Sequence, residues 1–203
     1  MNFKLYQHYS HYGFSNSFIL GNDDTHMAIM VDPGEFTVGM LNQIEKNGYF
    51  VSSILLTHSH IHHVRGIKTI IRVYRSKIYA ASARVLGEPC RVVRDGELFE
   101  TAGFRIEALS VPGHSPDSMA YRVEGLLFTG DSLHAGLPGK TLSSFNATLL
   151  VDRLRRKLLD LPDETIMLPG HGPPSTLLSE KRSNMGLDSG WAEKVNFNYD
   201  FFV

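Results

Sequence analysis

The chain has one cysteine, Cys90, among its 203 residues, so no disulfide can form within it. It has no apolar run of the ~18 residues that a membrane helix requires. The opening segment, Met1 to His8, lacks the apolar core of a secretory signal. Neither sign of charge is in excess: 20 basic residues face 21 acidic ones, for a net charge of −1. That balance offers no electrostatic footprint for nucleic acid or an anionic membrane. Linkers, low-complexity segments and short-period repeats are also missing. The expectation is a cytoplasmic protein without nucleic-acid or membrane partners, built as one domain over residues 1–203. A hydrophobic share of 42% is ordinary for a chain with a sizeable core.

What the chain has in excess is clustered histidine. Four of its ten histidines fall in His58-Ser59-His60-Ile61-His62-His63. An apolar run, Ile54-Leu55-Leu56, leads into them and reads as a buried strand. Imidazole is a good ligand for zinc, iron and other divalent first-row metals. On an extended segment residues i and i+2 face the same way, so His58 and His60 can grip one ion. His62 and His63 follow where a helix is expected to begin near Val64, so they should point elsewhere, as a second ion would need. The competing reading is a histidine-rich surface loop, but dense His tracts usually mean metal.

Strand and helix signals alternate along the chain. Met27–Val31 reads as a strand ending in the turn Asp32-Pro33-Gly34. Val38, Leu41 and Ile44 recur at helical spacing, and Asn47-Gly48 supplies a stop. Ile67, Ile70, Ile71 and Tyr74 form a second amphipathic stripe, and Ile78-Tyr79-Ala80 a further strand. The first half is therefore β-α-β-α-β. In the second half Asp95-Gly96 is a turn between Val92-Val93 and Leu98-Phe99, and Phe104, Ile106 and Ala108 alternate as in a half-buried strand. Met119–Val123 and Leu126–Thr129 flank the hairpin turn Glu124-Gly125. Leu150, Leu154, Leu158 and Leu161 form a helical stripe, and Thr165–Leu168 a last strand. The tail, Asn196 to Val203, is aromatic and polar and can pack on the body or on a partner.

Three further strand ends carry ligand-type residues: Pro112-Gly113-His114, Thr129-Gly130-Asp131 and Pro169-Gly170-His171. Each is an apolar strand, then a glycine, then His or Asp. Glycine allows a sharp turn and a close approach to an ion. Ligands at several strand ends converge at one edge, where α/β folds place their sites. One such pair means little, but together with the His cluster they form a set.

With these motifs the chain resembles the metallo-β-lactamase-fold superfamily, whose signature is T-H-x-H-x-D-H-x-x-G. Thr57-His58-Ser59-His60-Ile61-His62-His63-Val64-Arg65-Gly66 matches every defined position except His62. Gly113-His114, Gly130-Asp131 and Gly170-His171 match the later motifs in order, and Asp32 matches the first acidic motif. The resemblance implies an α/β fold, a four-layered αβ/βα sandwich with a binuclear site between the sheets. It implies two divalent metal ions, zinc first, with iron or manganese as alternatives. By position, His58, His60 and His114 would hold the first ion. His63, His171 and His62 would hold the second, and Asp131 would bridge them. Asp32 would orient the His loop from behind.

Within the superfamily the chain resembles small glyoxalase II-like hydrolases, through Leu154-Arg155-Arg156-Lys157-Leu158, Leu168-Pro169-Gly170-His171-Gly172-Pro173 and Glu180-Lys181-Arg182-Ser183-Asn184. That implies a metallo-hydrolase using a metal-bound hydroxide on a small-molecule ester or thioester. The chain is expected to lack the helical domain with which longer members help bind glutathione. The alternatives are an iron-dependent oxidoreductase, a phosphodiesterase, or a metal-binding protein with little turnover.

Two departures from the family pattern bear on catalysis. A neutral imidazole at His62 has one lone pair, so it can ligate or accept a proton but not both. It also leaves the site one unit more positive, which lowers the pKa of bound water while removing a proton acceptor. His134, three residues after Asp131, can donate a proton to a leaving group, bind substrate, or be a loop histidine. Catalytic roles are therefore expected for Asp131, His62 and His134. The aromatic, His-rich run His8 to Phe14 reads as a hairpin loop that stacks on substrate or decorates the surface.

Overall fold

The computed structural model describes residues 2–187; the tail from Asn196 to Val203 lies outside the described residues. Two six-stranded sheets carry the fold. The first takes its strands in chain order: β1 Phe3–Tyr9, β2 Asn16–Asn22, β3 Met27–Val31, β4 Phe50–Leu55, β5 Lys77–Ala80 and β6 Arg91–Val92. β1 to β3 are antiparallel and β3 to β6 parallel. Helices α1 Val38–Lys46 and α3 Ile67–Tyr74 make the crossovers that parallel neighbours need. Between β4 and α3 lies a single helical turn, α2 Ile61–Val64.

The second sheet is also in chain order: β7 Glu97–Thr101, β8 Phe104–Ser110, β9 Met119–Val123, β10 Leu126–Gly130, β11 Ile166–Pro169 and β12 Ser175–Thr176. Only β10 and β11 run parallel, joined through α4 Ser144–Lys157; α5 Leu177–Ser183 closes the described chain together with a short 3-10 turn. The turn at Asp95-Gly96 joins the two sheets, since β6 and β7 belong to different ones.

The two-residue alternation of strands sorts their side chains into layers. On β2, Phe18 and Leu20 enter the core between the sheets, and Ile19 faces α1 and α3. On β10, Leu126 and Phe128 face the opposite sheet, and Leu127 packs on Leu150, Leu154 and Leu158. Three apolar layers therefore separate four layers of structure, the αβ/βα sandwich. The stripe on α4 ends sooner than its spacing suggests. Leu161 precedes Pro162, which disfavours helix at the residue before it, yet Leu161 still packs against the same core. No helix among the described residues is long and apolar enough to cross a membrane.

Candidate metal centre

Residues that the sequence scatters over the chain meet at one edge of the sandwich. Asp32 follows β3, His58 and His60 follow β4, His114 follows β8, Asp131 follows β10 and His171 follows β11. His62 and His63 sit on α2, one turn earlier than the helix expected near Val64. Neighbours on a helix diverge by about 100°. His63 accordingly points inward and is fully buried, whereas the His62 side chain stays 30% exposed.

Asp131, itself buried, lies at the middle of the cluster. Its Oδ2 is 3.7 Å from His58 Nε2, 3.6 Å from His114 Nε2 and 3.9 Å from His62 Nε2. Its Oδ1 is 2.8 Å from His171 Nδ1, 3.3 Å from His63 Nε2 and 3.8 Å from His134 Nε2. His60 Nδ1 lies 3.0 Å from both His58 Nε2 and His114 Nε2. All seven predicted ligands are thus brought together, and His134 with them. His62 is within reach of both groups, one with His58, His60 and Asp131, the other with His63, His171 and Asp131.

Outer partners decide which ring nitrogen faces inward. The Thr57 hydroxyl donates to Asp32 Oδ2 at 2.5 Å, so at 3.1 Å it accepts from His58 Nδ1–H. His58 Nε2 is left with a lone pair toward Asp131. His114 Nδ1–H donates to the Lys140 carbonyl at 2.7 Å, which frees Nε2. His171 Nε2–H donates to the Gly13 carbonyl at 3.0 Å, which frees Nδ1. The chain's donor set fits a metal on this account. Between His58, His60 and His114 three ring nitrogens converge with at most one proton among them, an arrangement a cation relieves. Ligand nitrogens at the ~2.0–2.1 Å of a tetrahedral zinc would be on the order of 3.4 Å apart. His63 is buried with neither ring nitrogen in a hydrogen bond, Nε2 3.3 Å from Asp131 and Nδ1 3.4 Å from Asp32, so a cation could take the place of the proton on Nε2.

The electrostatics separate the two halves. Burial, helped by the nearby charge of His63, pushes His58 down to about 2, and burial also lowers His60 and His114. Those three imidazoles are neutral at pH 7, as ligands must be. For His63 burial acts downward too, but Asp131 and Asp32 outweigh it and lift it to about 10. Burial alone would raise Asp131; the charge of His63 and the imidazoles of His134, His171 and His62 around it hold it well below the carboxylate range.

Sequence reasoning missed the supports. Asn16 Nδ2 donates to the carbonyls of Pro169 (3.0 Å) and Gly172 (2.7 Å), pinning the His171 loop. Glu180, buried on α5, accepts from Gly136 N and Asn184 Nδ2 and so holds the small Leu133–His134/Leu137–Pro138 hairpin. A glutamate on the buried face of an amphipathic helix was the signal available for it.

The family model of the Metallo-beta-lactamase superfamily matches residues 12–86 and 80–171. The probable metallo-hydrolase YqgX of Bacillus subtilis is 32% identical over 194 residues, covering 84% of this chain and 90% of that protein. The hydroxyacylglutathione hydrolase GloC of Haemophilus influenzae is 29% identical over 191 residues, covering 82% and 90%. The crystal structure of TTHA1623 in a di-iron-bound form superposes with a TM-score of 0.73 at 27% identity, covering 89% of this chain and 98% of that one. This chain belongs to the metallo-β-lactamase superfamily, and its relatives include metallo-hydrolases of the glyoxalase II type.

Proposed function

We propose that the protein is a metallo-hydrolase that cleaves a small ester or thioester at a binuclear centre. The observation that carries this reading is Asp131, whose two oxygens face two separate groups of imidazoles. His58, His60, His114 and Oδ2 would hold one divalent ion. His63, His171 and Oδ1 would hold the other, with His62 in reach of both. Nitrogen-rich donors suit zinc or iron over magnesium or calcium. Such ions would lower the pKa of a coordinated water toward neutrality and polarise the carbonyl of the scissile bond. Asp32 and Thr57 fix the His58 ring, and the Lys140 and Gly13 carbonyls fix His114 and His171. His62 Nε2 stands in place of the family carboxylate and would serve either as a ligand or as a proton acceptor, since its one lone pair cannot do both. A thioester of the hydroxyacylglutathione class is the first substrate to try, after the GloC relative.

A second reading, an iron-dependent oxidoreductase, is favoured by the nitrogen-rich donors and the di-iron form of the TTHA1623 neighbour. One experiment separates them: elemental analysis of protein purified without chelators, then assays against hydroxyacylglutathione thioesters, phosphodiesters and β-lactams. Thioester turnover that chelation removes and Asp131→Ala lowers at least about a hundredfold supports the hydrolase. Full activity after metal stripping contradicts it.

A further inference from the structure

We infer that His134 is a ligand of the second ion and that His62 turns to the first, so that the imidazole missing from the Oδ1 side is supplied by the loop after β10. The inference rests on the binuclear reading above and assigns His134 a place in it.

The two oxygens of Asp131 sort the rings. On the Oδ2 side lie His58, His114 and His62, with His60 tied to the first two by its contacts of 3.0 Å. On the Oδ1 side lie His171, His63 and His134. His62 Nε2 is thus already on the side that has three other imidazoles. With His62 on the first ion, the Oδ1 side without His134 would offer an ion two rings and one carboxylate oxygen. With it the side offers four donors, the usual number for zinc.

His134 Nε2 is itself buried and makes no hydrogen bond, although the rest of its ring is partly exposed. Leaving a buried polar atom without a partner is unfavourable, and a metal is a partner the neighbouring donors are arranged to bind. The backbone that carries the ring is fixed on both sides. The Thr129 hydroxyl donates to the Leu133 carbonyl at 2.8 Å. His134 pairs with Leu137 in the small hairpin, and Gly136 N donates to buried Glu180. At 3.8 Å from Oδ1 it needs only a small shift to share an ion with it.

The test compares the wild-type protein with His134→Phe, His134→Gln and His62→Ala. Zinc content is measured at buffered free zinc, and each protein is also loaded with cobalt(II) and its visible spectrum recorded. Thermal unfolding checks that each variant folds, and the glutamine variant serves if the phenylalanine one does not. The wild type is expected to hold two ions. Both His134 variants should bind the second at least about tenfold more weakly and lose one of two cobalt bands, while His62→Ala keeps the second ion. If the His134 variants retain both ions at unchanged affinity, or His62→Ala is the one that loses the second, the assignment is wrong and the binuclear reading stands. If the wild type itself holds fewer than two ions, the binuclear reading fails and the assignment with it.

Discussion

Asp131 is the residue on which the site turns, since one carboxylate faces six imidazoles within 3.9 Å. Its charge is matched by His63, whose ring lies between it and Asp32. That pairing has a measurable consequence. His63 is lifted to about 10, so at pH 7 both its nitrogens carry protons. An ion at Nε2 must displace one of them. Affinity on the Oδ1 side should therefore rise with pH, about tenfold per unit below 10, because a raised pKa opposes metal more strongly the lower the pH. On the Oδ2 side His58, His60 and His114 are already neutral, and binding should release no proton near pH 7. Calorimetric titration in buffers of different ionisation heat measures this: about one proton released for one of the two ions, and none for the other. Equal proton release at both steps contradicts the assignment of His63. Asp32 gives a second prediction at this scale. It sits at φ +47°, a conformation asparagine tolerates, so Asp32→Asn removes the charge without straining the backbone. The hydrogen-bond chain through Thr57 to His58 should loosen and metal affinity on the Oδ2 side fall about 10–100-fold. Unchanged affinity would show that Asp32 serves the fold alone.

Among the elements, the His/Asp cluster exists because β3, β4, β8, β10 and β11 present their C-terminal ends at one edge, each followed by a candidate ligand or its support. Much of this was legible in the sequence. Apolar runs that end in Gly-His or Gly-Asp mark both the strand and the place where it stops, and the alternation of Phe104, Ile106 and Ala108 on β8 follows from period-two patterning. The turn of helix at Ile61–Val64 was less legible. It is too short for any periodicity to reveal, yet it decides that His63 points in and His62 partly out. Also illegible were the carbonyls of Gly13 and Lys140, because they meet His171 and His114 only through tertiary contacts, the first across 158 residues of chain. Gly170 connects element to site. A Cβ there would lie 2.3 Å from Asp131 Oδ1 and 2.7 Å from His63 Cε1. Gly170→Ala is expected to leave the fold intact and to weaken metal binding on the Oδ1 side at least about tenfold, since strand end and ligands cannot all keep their places. Metal analysis at buffered free zinc checks this, and full retention of both ions would contradict it.

At the scale of the whole molecule, two sheets close on a shared core, and loops from each sheet reach the cluster. From the first comes the β1–β2 loop, with Gly13 against His171, Tyr12 under the Arg65 guanidinium at 4.4 Å, and Tyr9 stacked on Phe14 at 6.3 Å. From the second comes the segment leading to α4, with Lys140 against His114 and the exposed side chains of Leu142 and Phe145 beyond it. Phe14 is 63% exposed and Leu142 90%, so both loops that touch the cluster display apolar surface. Such surface near a polar centre suits substrate carrying an apolar group. Phe14→Ala should raise KM several-fold with little change in kcat, as expected where contact is made equally in ground and transition states. A KM that stays the same would assign the loop to bracing His62 and His171 only.

On the proposed reading, this edge of the sandwich holds two ions on either side of Asp131. Anomalous diffraction from crystals of metal-loaded protein, recorded at the absorption edge of the bound metal, tests it most directly. Two peaks about 3.5–4 Å apart are expected, one against His58, His60, His114 and Asp131 Oδ2, the other against His63, His171 and Asp131 Oδ1. A single peak, or density away from Asp131 with these side chains turned apart, would contradict it.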